Sequence, residues 1–251
     1  MTIAETDLQP LPAADPMSTI SLAAAPSFSV RPLNTNMSFR DQAYVVLKQA
    51  IANADVYDQH EEIRLDEREL SSALGVSRTP IREAMTLLEQ EGFLRTLPRR
   101  GIFIVRKTKR DIIEMIEMWA ALEGMSARLA TLHAIDADIA SLRHMFDSFA
   151  NTTPTAHLEE YSETNLAFHQ AIFKLGGSKL MTDTVQNLLI HVRAIRKMTI
   201  SKDDRASRSI VDHMNIIDAL EKRDTERAER LTRQHTLDLA AFVDKYCDFL
   251  T

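Results

Sequence analysis

Glu69-Leu70-Ser71-Ser72-Ala73-Leu74-Gly75-Val76-Ser77-Arg78-Thr79-Pro80-Ile81-Arg82-Glu83-Ala84 is the stretch that decides the fold. It reads as two short helices joined by a tight turn. Leu70, Ala73 and Leu74 make one apolar face, and Gly75 is the residue able to take positive φ and end the first helix. Val76 plugs the corner. Ser77 stands at a helix N-cap, and Pro80 falls in the first turn, where a missing N–H costs little. Ile81, Met85 and Leu88 then carry an inward stripe at helical spacing. The outward residues at the start of the second helix are Arg78, Thr79 and Arg82. A helix-turn-helix presents this end of its second helix to the DNA major groove, where arginine grips guanine O6 and N7 or a phosphate. An ordinary helical hairpin with a solvated arginine face shares the same local pattern, so the flanking sequence has to separate the two.

Downstream, Glu91-Gly92 ends the helix. Phe93-Leu94-Arg95-Thr96-Leu97 and Ile102-Phe103-Ile104-Val105 read as two strands around the turn Pro98-Arg99-Arg100-Gly101. A two-stranded wing after a recognition helix makes a winged helix-turn-helix. Its tip places Arg99 and Arg100 for phosphate or the minor groove, with Gly101 allowing close backbone approach. Upstream, Ser38 caps a helix running to about Asn53 with Ala43, Val46, Leu47 and Ile51 inward. A loop over residues 54–64 follows, and Asp66 with Glu69 makes a capping box for the next helix. Arg68 lies on that helix's outer face; from the residues alone it is a surface position.

Net charge is −6 over 251 residues, which by itself argues against nucleic acid. The distribution argues the other way: between Arg78 and Arg110 nine basic residues face three acidic ones. A local basic footprint on an acidic chain suits a DNA-binding module attached to something else. With 6 glycines, 8 prolines and 45% hydrophobic residues the chain favours helix and is long enough for two modest domains. The single cysteine, Cys247, rules out an internal disulfide framework and fits a reducing, cytoplasmic setting. No apolar run reaches the roughly 18 residues of a membrane span, and no basic residue precedes Arg31, so a secretory signal is not expected.

The resulting organisation is a Pro-, Ala- and Ser-rich tail over 1–36, a winged helix-turn-helix over 37–106, a linker over 107–109 and an all-helical region over 110–251. In that last region six helices are expected, over 111–133, 137–151, 156–175, 179–201, 205–222 and 225–249. The fold class is therefore mainly α, a winged head on a six-helix bundle.

The bundle carries Asn165 and His169, four apart and so on one helix face, then His213 and His235 in later helices. Three neutral imidazoles with one oxygen ligand suit a divalent transition metal and leave coordination positions open. A lone histidine is more commonly a core or surface residue, and His133, His144, His157 and His191 are read that way. No paired carboxylate or other general base stands at motif-like spacing, so a metal-dependent hydrolase fused to a DNA-binding head is the weaker reading and the chain is not expected to be an enzyme.

The run from Val76 to Ala84, followed by Leu87-Leu88-Glu89-Gln90-Glu91-Gly92-Phe93 and Pro98-Arg99-Arg100-Gly101, resembles the DNA-binding domain of the GntR family of bacterial transcription regulators over about Ser38 to Arg106. That resemblance makes Arg68 a DNA contact beside Ser77, Arg78, Thr79, Arg82, Arg99, Arg100 and Gly101. Glu123, Phe168-His169, Gly176-Gly177-Ser178, Asp212 to Leu220 and His235 are similar to the FCD effector domain of the FadR subfamily, and six helices rather than seven look like its VanR-type branch. In that domain an Asp or Asn and three histidines hold a divalent metal, and small carboxylic acids bind on or near it. Here the resemblance implies Asn165, His169, His213 and His235 around zinc or nickel, with Asn165 standing where Asp is usual. Trp119 stands where the family often has an arginine, four residues before Glu123. An indole cannot pair with a carboxylate, so Arg128, Arg193 or Arg196 would have to, or the effector is less anionic or partly aromatic. The expected function is a homodimeric regulator on a two-fold DNA operator, its affinity tuned by a small organic-acid-like effector. The alternative is a DNA-binding dimer with a vestigial metal pocket.

Overall fold

The computed structural model describes residues 37–54, 56–57, 62–149, 158–200, 202, 204–248 and 250. The expected tail over 1–36 and His157 lie outside them.

The head begins with α1 (Phe39–Asn53), whose N-cap Ser38 accepts from the Asp41 backbone N–H. Ala43, Leu47 and Ile51 bury one narrow stripe at four-residue spacing. Val46, expected inward, is 49% exposed, because it points about a quarter-turn away from that stripe. Asp66 caps α2 (Glu67–Leu74) by accepting from the Arg68 and Glu69 N–H groups. Only that half of the expected capping box is present among the described contacts. Leu70 and Leu74 are half-buried on α2, while Ala73 is exposed and adds nothing to the face. Gly75 takes the left-handed conformation at φ 67°, and α3 (Arg78–Gln90) follows. Ser77 occupies the N-cap in extended backbone, but its hydroxyl makes no capping hydrogen bond.

The wing strands are β2 (Leu94–Leu97) and β3 (Gly101–Ile104), paired antiparallel with Leu97 opposite Gly101. A third strand, β1 (Arg64–Leu65), pairs with the other edge of β3, giving the order β1-β3-β2. From the sequence Arg64 belongs to the loop over 54–64, because two residues are too short for an alternating pattern to register. Ile81, Ala84, Met85, Leu88, Phe93 and Ile104 close the head core.

Of the expected linker over 107–109, Lys109 already opens a helix. Thr108 caps α4 (Lys109–His133) through a full capping box with Asp111. The second bundle helix is shorter than expected: α5 (Asp136–His144) gives way to a 3₁₀ turn at Asp147–Phe149. Then come α6 (Leu158–Leu175), α7 (Lys179–Thr199), α8 (Arg205–Glu221) and α9 (Thr225–Tyr246). Six α-helices thus make the bundle among the described residues. At Gly176 a Cβ would stand 2.8 Å from the Ser126 carbonyl oxygen, so the end of α6 can press against α4 only without a side chain.

Two apolar clusters fill the bundle. One gathers Ile139, Leu142, Phe146, Phe168 and Ile216; the other gathers Ile116, Trp119, Val185, Val192, Leu239 and Val243. Head and bundle touch along α1 and α7. Lys48 Nζ donates to Glu91 at 2.6 Å and to Asn187 Oδ1 at 2.8 Å. The Phe93 ring stacks on His191 at 5.0 Å.

Candidate functional site

The candidate DNA-reading face of the head is built locally. Gly75 turns the chain, Ser77 starts α3, and the buried stripe of Ile81, Met85 and Leu88 forces the opposite side outward. Arg68, Ser77, Arg78, Thr79, Arg82, Arg99 and Arg100 are all exposed. Arg82 is held in a fork: its Nε and Nη2 donate to Glu67 at 3.1 and 2.8 Å while the side chain stays 65% exposed. That pair orients the guanidinium without hiding it. Arg99 turns the wing tip at φ 64° and Gly101 follows at φ 119°. A Cβ on Gly101 would meet Arg64 Nε at 2.7 Å, so Arg64 joins the basic face beside the tip. Sequence reading missed Arg64 because its strand went unrecognised.

The bundle site is built the opposite way, from four helices. Glu123 comes from α4, Asn165 and His169 from α6, His213 from α8 and His235 from α9. Their ligand atoms converge: one nitrogen from each of His169, His213 and His235 lies within 4.8 Å of the others. His213 Nε2 and His235 Nε2 stand 3.1 Å apart, and His169 Nε2 lies 3.1 Å from Asn165 Oδ1. On the far side of two rings sits a carboxylate. His235 Nδ1 is 3.1 Å from Asp212, and His169 Nδ1 pairs closely with Glu123. Carboxylates placed this way fix the tautomer and turn Nε2 inward as an electron-pair donor. Thr236 donates to the other Glu123 oxygen at 2.6 Å. The donor set fits a divalent transition metal. A bound ion would be held by His169, His213 and His235, with the Asn165 amide oxygen beside them.

Electrostatics follow from burial. Glu123 is fully buried, which pushes its carboxyl up to about 7 against the Thr236 hydrogen bond and the charges of Arg196 and His235. Burial holds His169 and His213 well below the usual imidazole value, and Arg196 adds to it. Both rings are therefore neutral at pH 7, as ligation requires.

The site lies between the two apolar clusters. Phe168 contacts His213 at 4.4 Å between ring centroids, and Trp119 meets His169 edge-on at 5.3 Å. The bacterial regulatory proteins, gntR family, profile matches residues 40–104. The FCD domain profile matches residues 114–238. The chain belongs to the GntR family. It is a DNA-binding transcription regulator of that family with a C-terminal FCD domain, and its relatives are regulators rather than enzymes. The HTH-type transcriptional repressor RspR of Escherichia coli is 25% identical over 211 residues, 84% of this chain and 91% of RspR. An HTH-type regulator of Bacillus subtilis, YdhC, is 26% identical over 175 residues, 69% of this chain and 76% of that protein. Among solved structures, E. coli McbR/YncC superposes with TM-score 0.68 at 20% identity, covering 85% of this chain and all of that one. That likeness is one of fold.

Within this GntR regulator the candidate effector residues divide. Trp119, Glu123 and Arg196 are buried at the histidine cluster. Arg196 lies 4.7 Å over the Trp119 ring and donates to Asn165 Oδ1 at 3.2 Å. Burial lowers its proton affinity to about 10, so it remains a cation at neutral pH. Arg128 and Arg193 are elsewhere. Arg128 pairs with Glu226 and Glu229 at 2.7 and 3.0 Å. Arg193 pairs with Glu163 at 2.6 Å and lines a groove between α1 and α7. Their helices turn them away from the cluster, which spacing along the chain could not show. Sequence reasoning also missed Thr236, one residue past His235, and Asp212, one before His213, as supporting groups. Among the described residues no helix is long and apolar enough to cross a membrane.

Proposed function

We propose that this regulator binds a two-fold DNA operator as a homodimer in the cytoplasm and releases or tightens it in response to an organic-acid-like effector near a bound metal. A winged head over 37–106 reads DNA, and a helical domain over 110–251 dimerises and senses. Arg78 and Arg82 read bases or grip phosphate at the start of α3, and Ser77 and Thr79 add polar contacts. Arg68, Arg99 and Arg100 hold the backbone while Gly101 lets the wing tip approach. In the bundle His169, His213, His235 and Asn165 hold zinc or nickel. A bound divalent ion would supply open coordination positions for an acidic ligand. Arg196 supplies the positive charge that Trp119 cannot. Because α7 carries Arg196 and also Asn187 and His191, which touch Lys48 and Phe93 of the head, a shift of α7 reaches the DNA-reading domain directly. Coupling of this kind is worth about 1–3 kcal/mol.

The observation that carries the reading is the convergence of three imidazoles, two of them backed by Glu123 and Asp212. Metal analysis of the purified full chain, followed by a gel shift on its own promoter with and without candidate acids, tests it. One equivalent of zinc or nickel and an acid-dependent shift are the expected results. Absence of metal at every stage of purification would favour the vestigial pocket. One contact favours that second reading: Arg196 already donates to the Asn165 oxygen that would face the metal.

A further inference from the structure

Each edge of the wing sheet carries one arginine, and the two have different surroundings. Arg64 on β1 and Arg95 on β2 both stand opposite Phe103 of β3, so their side chains lie on one face of the sheet. Arg95 pairs with Glu62. Arg64 is exposed and, among the described residues, makes no ion pair or side-chain hydrogen bond. The acid its charge acts on, Asp66, is committed to capping α2 through the Arg68 and Glu69 N–H groups.

The Arg64 guanidinium is placed all the same. A Cβ built on Gly101 would stand 2.7 Å from Arg64 Nε and 3.4 Å from its Cζ and Nη2. The group therefore packs on the glycine that follows the Arg99–Arg100 turn, in the space a side chain would take. Gly101 holds φ 119°, which side-chain-bearing residues rarely adopt, so the backbone itself keeps that space open.

The other cations of the head sort in the same way. Arg40, Lys48 and Arg95 each face a carboxylate, from Asp41, Glu91 and Glu62. Arg68, Arg78, Arg99 and Arg100, all assigned to DNA above, face none among the described residues. Arg82 belongs to both groups, paired with Glu67 yet 65% exposed. On a chain of net charge −6, exposed arginines left without an acid mark where an external anion is met. Arg64 is the one such residue that the sequence reading did not count.

We propose that Arg64 is a DNA-binding residue whose guanidinium takes a backbone phosphate beside the wing tip, a cation delivered to the wing from outside its hairpin. This rests on the reading above that the head meets DNA through the start of α3 and the wing. The guanidinium fork matches phosphate oxygens, and packing on Gly101 has already restricted it, so less side-chain freedom is lost on contact. Arg64 stands on the sheet rather than on α3. Its contact positions the head on the duplex and carries no base information.

The test is fluorescence-anisotropy titration of the full-length protein over a range of salt concentrations, with a duplex from its own promoter and a scrambled duplex of the same length. Arg64→Gln weakens binding to both duplexes alike, by roughly five- to tenfold per head at 0.1 M salt, and the slope of log K against log salt falls by about one per head. Arg64→Lys keeps most of that slope, which separates loss of charge from loss of fold. Arg95→Gln, whose charge Glu62 already meets, leaves the slope unchanged. An unchanged slope in Arg64→Gln overturns the proposal, and so does a loss confined to the promoter duplex, which would make Arg64 a base reader. If Arg78→Ala weakens promoter binding while Arg64→Gln does not, the reading of the head stands without Arg64. Failure of the parent protein to bind either duplex at low salt overturns both.

Discussion

The arginines of the head stand in solvent on short local signals, whereas the polar groups of the bundle are sealed between two apolar clusters. Arg78 and Arg82 need only a turn glycine, a cap position and an inward stripe behind them. His169, His213 and His235 come from three helices, and only the docking of α8 on α9 brings His213 and His235 nitrogens to 3.1 Å. The head can lose one of these exposed arginines without losing its fold, because an exposed side chain contributes little to stability. The bundle cannot lose its polar layer so easily, since Glu123, Asn165, His169 and Thr236 are buried and hydrogen-bonded to one another. One region separates function from stability and the other joins them.

The largest effect should come from metal. Stripping a zinc- or nickel-loaded sample with chelator should lower stability by about 4 kcal/mol when free metal had stood a thousandfold above Kd. For a chain of this size that is a fall of roughly 10 °C in Tm. An identical melting curve before and after chelation would break the comparison at its deeper end. Next comes Gly176→Ala. The added Cβ would meet the Ser126 carbonyl oxygen at 2.8 Å, and forcing α6 away from α4 should cost about 2–3 kcal/mol by denaturant titration. No loss of stability would mean that this helix contact is loose.

Arg78→Ala sharpens the other side. Specific operator binding should weaken by about 1–3 kcal/mol in a gel shift, with Tm essentially unchanged. Full operator affinity in that variant would remove Arg78 from the proposed base-reading set. The smallest effect concerns the junction. Burial pushes His191 down to about 4, with Lys107 adding to it. The unfolded chain takes up this proton near the ordinary value of about 6.5. Stability from this group is therefore present above about 6.5 and lost progressively as pH falls towards about 4. His191→Phe keeps an aromatic ring against Phe93 and cannot take up the proton. The variant should lose less stability than the parent between pH 7 and pH 5. Glu123, pushed the other way, is common to both proteins and cancels in the difference. Parallel stability–pH curves would show that His191 is wetter than its stacking on Phe93 implies.

What could be read early and what could not divides along the same line. Gly75, Ser77 and the Ile81–Met85–Leu88 stripe fix the helix-turn-helix within a few residues of chain, and the wing follows from two alternating runs around Pro98. The misreadings there are small: Val46 sits one position off a buried stripe, Ala73 one position off a half-buried one, and β1 is too short to leave a period. In the bundle, the ligand candidates stood out by residue type and by resemblance, but their supporting groups did not. Asp212 and Thr236 look like ordinary helix residues until α4, α8 and α9 pack. Arg128, Arg193 and Arg196 were equivalent candidates along the chain, and only helix rotation sends Arg196 inward over Trp119.

The sequence by itself determined the winged head, the six-helix count and the outward arginines, because these depend on interactions between residues at most a few turns apart. Tertiary structure alone decided which polar side chains meet around His169. Residues separated by tens of positions acquire a common environment only when apolar packing, indifferent to their chemistry, brings their helices together and excludes water from what they share.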